Sequence, residues 1–172
     1  MNLSQSFQER LRIYLQTGEL RDGDIRYLIM RTDALMGMFT KLEPVARDAA
    51  LLAMAESVAE FGGKSVDTYR VSGADNSAEL ISLLIRTSAE LGWGAWTFTE
   101  ECDGEVQVLV RNSPFACSVE NVGTAVCAPI VGILTAIAPV LLGQGASAAE
   151  TQCHQGRGGC CHFRISAASS KR

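Results

Sequence analysis

Four residues of this sequence have types and spacing suited to chemistry. Glu150, Cys153 and Cys161 follow one another as Glu-x2-Cys-x7-Cys, and Cys127 stands upstream at the start of a long uncharged stretch. Around a hairpin that spacing gathers a carboxylate and two thiols. A helix beginning at Cys127 favours its thiolate, and three sulfurs with one oxygen complete the tetrahedral shell of a structural zinc ion. Spacing alone leaves a second reading open, in which Cys127, Cys160 and Cys161 are small buried hydrophobes and Glu150 is a solvated acid. His154 and His162 compete as nitrogen ligands, although on a strand His162 points away from Cys161. Cys160 beside Cys161 leaves the register open. Cys102, in a turn, and Cys117, in a loop, have no partner at ligand spacing.

The elements that must position these groups belong to one domain-sized chain of 172 residues, 47% hydrophobic and 20% charged. The net charge of −4 implies no basic face for direct nucleic-acid binding. The first ten residues have no basic start followed by an apolar run, so we expect no secretory leader and a cytoplasmic location. Six cysteines in a reducing compartment favour metal over cystine. Val122 to Leu142 lacks any charge but is broken by Pro129, Gly132 and Pro139 and has no interfacial anchors; it reads as a buried helix, not a membrane span.

Leu3, Phe7, Leu11 and Tyr14/Leu15 recur at helical spacing, predicting an amphipathic helix over 3–16 that covers the domain or a second subunit, and a homodimer is expected. Asp22-Gly23 marks a hairpin turn between Glu19-Leu20-Arg21 and Ile25–Met30. Thr32 or Asp33 caps a helix to about Leu42, Pro44 starts a long one to about Tyr69, and Ser77 opens another that ends at Gly92. Residues 72–76 form a loop. Trp93–Thr99 and Val106–Val110 form a second hairpin around Cys102-Asp103-Gly104, and Ala146–Cys153 and Cys161–Ile165 form a third around Gly156-Arg157-Gly158-Gly159. The fold class expected is α+β, an antiparallel sheet of hairpins packed against several helices. Its division is an N-terminal helix (1–18), a ligand-binding domain (19–165) and a disordered tail (166–172).

The segments Val110–Phe115, Val126–Leu134, Glu150–Cys153 and Cys161–Ile165, with the early Asp22-Gly23 hairpin, resemble the 4-vinyl reductase domain family over about residues 19–165. That family includes the sensory domains of phenol- and toluene-type regulators and resembles vesicle-tethering transport-particle (TRAPP) subunits in fold. The resemblance implies zinc on Cys127, Glu150, Cys153 and Cys161. Where the aromatic sensors have a Trp-His pair before Asn-Ser, this sequence has Val110 and Arg111, so phenol specificity is not carried over. The loop from Phe115 to Gly123 is shorter than in those sensors. With neither an ATPase domain nor a helix-turn-helix in the sequence, regulatory output is expected in trans, through a partner protein.

Trp96, Phe98, Val110, Phe115, Ile130 and Leu134 are expected to line an apolar chamber between sheet and buried helix, with Arg111 at its rim. No dinucleotide fingerprint, phosphate loop or nucleophile–base pair is present. The function expected is a zinc-containing domain that binds or senses a small hydrophobic, aromatic or tetrapyrrole-like molecule. Two alternatives are an enzyme or accessory factor in tetrapyrrole 8-vinyl reduction, and a structural scaffold resembling the vesicle-tethering subunits.

Overall fold

The computed structural model describes residues 5–71, 76–100, 104–120 and 122–168. Its main sheet is built on strict alternation. In β5 (Val106–Arg111) the side chains of Val106, Val108 and Val110 are buried, and in β7 (Cys160–Ser166) those of Cys161, Phe163 and Ile165. These two strands pair antiparallel, Val110 opposite Cys161, with β4 (Ala95–Glu100) and β6 (Ser147–Gln152) on their flanks, so the order is β4-β5-β7-β6. The last hairpin strand therefore lies inside the sheet, and its cysteine faces the core.

The uncharged stretch forms α6 (Ala128–Leu142), with Pro129 in its first turn, where a missing amide hydrogen costs nothing. It packs on β6 and β7 on one side and on α3 (Pro44–Val71) on the other, which is why no charge is tolerated. Ile130, Leu134 and Ile137 are fully buried. The crossing with α3 is close: a Cβ on Gly132 would lie 2.5 Å from the Ala55 carbonyl oxygen, and one on Gly62 would lie 2.6 Å from Ile133 Cδ1. Among the described residues no helix is long and apolar enough to cross a membrane. α2 (Thr32–Thr40) and α4 (Ser77–Glu90) complete the helical layer, and the fold is the expected α+β class.

The N-terminal region differs from expectation. Among the described residues of this region helix occupies only α1 (Phe7–Arg10), closed by a Ser6/Glu9 capping box and followed at once by β1 (Arg12–Tyr14). Ile13 and Tyr14 are strand formers, and β1 joins β2 (Glu19–Asp22) and β3 (Ile25–Tyr27) in a separate three-stranded meander. Two tertiary contacts outcompete a longer helix: Phe7 packs edge-to-face on Tyr27 at 5.0 Å, and Arg10 pairs with Asp22 at 3.0 Å, both side chains nearly buried. That ion pair also moves the hairpin turn. Asp22 stays in the strand opposite Ile25, and the turn is Gly23-Asp24, with Gly23 at φ +59°. Ser166, expected to begin the tail, instead ends β7 opposite Ser147 and donates to Glu105 at 3.0 Å. The start of the expected N-terminal helix (Leu3 and Ser4), the expected loop at 72–75, Cys102-Asp103 of the expected turn and residues 169–172 lie outside the described residues.

Candidate metal centre

Cys127, Glu150, Cys153 and Cys161 each offer a ligand atom, and these four atoms lie within 4.8 Å of one another. Three elements deliver them. Cys161 points inward from β7, and Cys160 on the opposite face stays out of the cluster. Cys127 is the N-cap of α6. Glu150 and Cys153 are three residues apart, a spacing that puts side chains on opposite faces of a regular strand. A register shift in β6 resolves this: Glu150 pairs with Phe163 and Gln152 with His162, so Thr151 is an extra, bulged residue. The bulge turns Cys153 back to the face of Glu150.

The geometry suits a tetrahedral thiolate-rich ion. Cys127 Sγ and Cys161 Sγ are 3.8 Å apart, and the edge of a tetrahedron with zinc–sulfur bonds of about 2.3 Å is about 3.8 Å. Glu150 Oε2 accepts from the Cys127 amide at 3.0 Å, while Oε1 is buried with no hydrogen-bond partner. A buried carboxylate oxygen without a donor is costly, and a cation is the partner that this donor set lacks. Four acidic groups so close cannot all ionise by themselves. Burial, then the neighbouring Cys153, pushes the Glu150 carboxyl up to about 8. Hydrogen bonds to Cys153 and Cys161, and then burial, push the Cys127 thiol up, whereas the same kind of bond from Cys127, then Cys153, lowers Cys161 to about 4.

Neighbouring groups brace the cluster. Ser113, N-cap of α5 (Pro114–Cys117), places its hydroxyl 3.2 Å from Cys127 Sγ, and the His154 amide donates to Cys161 Sγ at 3.4 Å. The His154 imidazole is exposed, His162 half-buried, and neither joins the cluster; Cys117 is half-buried at the end of α5. Gln155 accepts from Val122 N–H and donates to Thr124 O, both at 2.8 Å, strapping the loop before α6 to the loop after β6. Arg47 donates to the carbonyls of Phe39, Leu42 and Val122, which ties the same loop to the start of α3. Neither Gln155 nor Arg47 carries a sequence signal of that role. Ser113 has one only in the Asn-Ser of the resemblance.

The side chains expected to line a ligand chamber occupy different environments. Val110, Ile130 and Leu134 are fully buried core; Trp96 is buried with its indole donating to Trp93 O at 3.0 Å. Phe98 is half-buried beside Trp96, and Arg111 is exposed at the end of β5. Phe115 lines an apolar cleft of about 580 Å³ between the meander and the helical layer, along with Phe7, Tyr27, Met54, Trp93 and Pro129. Trp93 meets Phe115 edge-to-face at 5.3 Å.

Fold and cluster together define an α+β domain with a four-residue candidate metal centre beside an apolar cleft. No family model matches the chain, and no curated protein sequence matches it. Among solved structures it is similar to the phenol-responsive sensory domain of the transcription activator PoxR, a crystal structure with phenol. The TM-score is 0.72 and the identity 16%, over 95% of this chain and 87% of that one. The two chains share a fold.

Proposed function

We propose that this chain is a zinc-containing binding module of the 4-vinyl reductase type, which encloses a small hydrophobic or aromatic guest and passes its occupancy to a partner protein in trans. The observation that carries this reading is that two short segments belong to both sites. Ser113 touches Cys127 Sγ while Pro114 and Phe115 line the cleft, and Cys127 is in the cluster while Pro129 lines the cleft. A change in the wall of the cleft therefore acts on the cluster within two residues of chain. When bound, zinc would supply a closed tetrahedral node without an open coordination position. Cys127, Glu150, Cys153 and Cys161 would hold it, pinning the start of α6 to the last hairpin. The fold shared with a phenol-responsive sensory domain supports an aromatic guest. The departure at Val110 and Arg111 argues against simple transfer of phenol itself. A homodimer rests on Ile13, Tyr14 and Leu15, exposed on and after β1, in place of the expected helix stripe.

The test is a thermal-shift and calorimetric screen of small arenes, hydrophobic alcohols and tetrapyrroles against zinc-loaded protein. We expect saturable stabilisation by one class and its loss on Phe115→Ala or Trp93→Ala. A screen in which no class stabilises the loaded protein would overturn the reading.

A further inference from the structure

The apolar cleft has an uneven electrical character. Among the described residues no Lys, Arg or His lines it, and Glu90 is its only carboxylate. Glu90 is the last residue of α4, a 14-residue helix with no basic residue in its last turn, so the carboxylate sits where the helix dipole is already negative. Leu91 and Gly92, which follow it, also line the cleft, and Arg86, one turn earlier, does not. Glu90 is held in place: its Oε2 accepts the Phe7 amide hydrogen at 2.5 Å. That donor is a neutral amide and brings no counter-charge. Two edge-to-face aromatic pairs share the lining: Phe7 with Tyr27, where the Arg10 guanidinium already lies 6.0 Å from the Phe7 ring centroid, and Trp93 with Phe115, whose ring faces attract cations.

We infer that the cleft selects a guest with a positive charge on a hydrophobic body, a lipophilic amine or quaternary ammonium, with Glu90 as its counter-charge and the Trp93–Phe115 pair as its aromatic wall. This rests on the proposal that the cleft is the ligand site. A cation there offsets the carboxylate and the helix terminus together; a neutral arene gains only apolar burial, and an anion is repelled.

Isothermal titration of the zinc-loaded full chain with 2-phenylethylammonium, benzyltrimethylammonium, 2-phenylethanol and 3-phenylpropionate tests this. The two cations should bind at least about tenfold more tightly than the alcohol, with no binding of the carboxylate. Glu90→Gln keeps an acceptor for the Phe7 amide and should abolish the preference, so that the cations bind the variant no more tightly than the alcohol does. Equal binding of alcohol and cations by the wild type, or a cation preference that survives in folded E90Q, overturns the charge selection and leaves the cleft as ligand site. Absence of binding by all four also overturns the charge selection, and the broader screen decides on the cleft. Should E90Q not fold, the wild-type series decides alone.

Discussion

The backbone amide of Cys127 donates to Glu150 Oε2 at 3.0 Å while Oε1 of the same carboxyl stays buried and unpartnered. One carboxyl group thus closes the first turn of α6 and leaves an oxygen for a metal. Glu150→Gln separates the two tasks, because an amide oxygen can still accept from Cys127 but brings no charge to a cation. Metal-free stability at pH 7 should hardly change, since the native carboxyl, pushed up to about 8, already carries its proton there. Zinc affinity should fall by at least about tenfold. Equal zinc affinity in competition with a chromogenic chelator would remove Glu150 from the ligand set.

Stripping the metal should loosen the domain. At free zinc about a hundredfold above Kd, binding stabilises by about 2.7 kcal/mol, and for a chain of this size that raises Tm by about 5–10 °C. Elemental analysis should give about one zinc per chain in the wild type and none in Cys161→Ser. Cys160→Ser should retain the ion, because its thiol lies on the other face of β7. A chelated protein with an unchanged melting curve contradicts a structural metal.

Loading zinc must expel protons. Glu150 and Cys127 both have pKa values raised above neutrality in the metal-free cluster and hold protons at pH 7. Zinc requires their anionic forms, so these two groups alone should release about two protons per ion bound at that pH. Protons and metal compete, and apparent affinity should fall at least tenfold from pH 8 to pH 6. Calorimetry in buffers of different ionisation enthalpy counts the protons; a buffer-independent heat contradicts the scheme.

Two glycines of the α3–α6 contact should respond in opposite directions. Gly132→Ala drives a methyl into the Ala55 carbonyl and should cost about 1–3 kcal/mol of overpacking. On Gly63 the new Cβ meets Ala136 Cβ at 3.8 Å, an ordinary contact, and the gain in helix propensity should stabilise by about 0.5–1 kcal/mol. Urea denaturation of both variants measures the difference.

How much of this is legible in the residues follows from range. The alternation Val106-Val108-Val110 and the uncharged stretch after Cys127 are local patterns, and both elements stand where they are expected. The choice between Cys160 and Cys161, open in the sequence, is made by the sheet: Cys161, Phe163 and Ile165 share the buried face, opposite Cys160, His162 and Arg164. The bulge at Thr151 is different. Nothing in Glu150-Thr151-Gln152-Cys153 shows that one residue drops out of register, yet without it the acid and the thiol face opposite ways. The N-terminal misreading has the same origin, because Leu11 to Leu15 suits a helix until Asp22 and Tyr27 draw Arg10 and Phe7 into tertiary contacts. The cleft is assembled from α1, β2, β3, α2, α3, the end of α4 and the starts of α5 and α6, so no window of sequence contains it.

The close approach at Gly132 gives the cleft two unlike walls. Met54 and Val58 on α3 and Pro129 on α6 belong to helices that meet almost backbone to backbone, a girder with no slack. Facing them, Phe7, Leu20 and Tyr27 belong to α1 and a sheet of three short strands, pinned at the Arg10–Asp22 pair and the Phe7–Glu90 bond. A bulky occupant would find the helices unyielding and push the meander outward, so the region that displays Ile13, Tyr14 and Leu15 is where its size would register on the surface of the molecule.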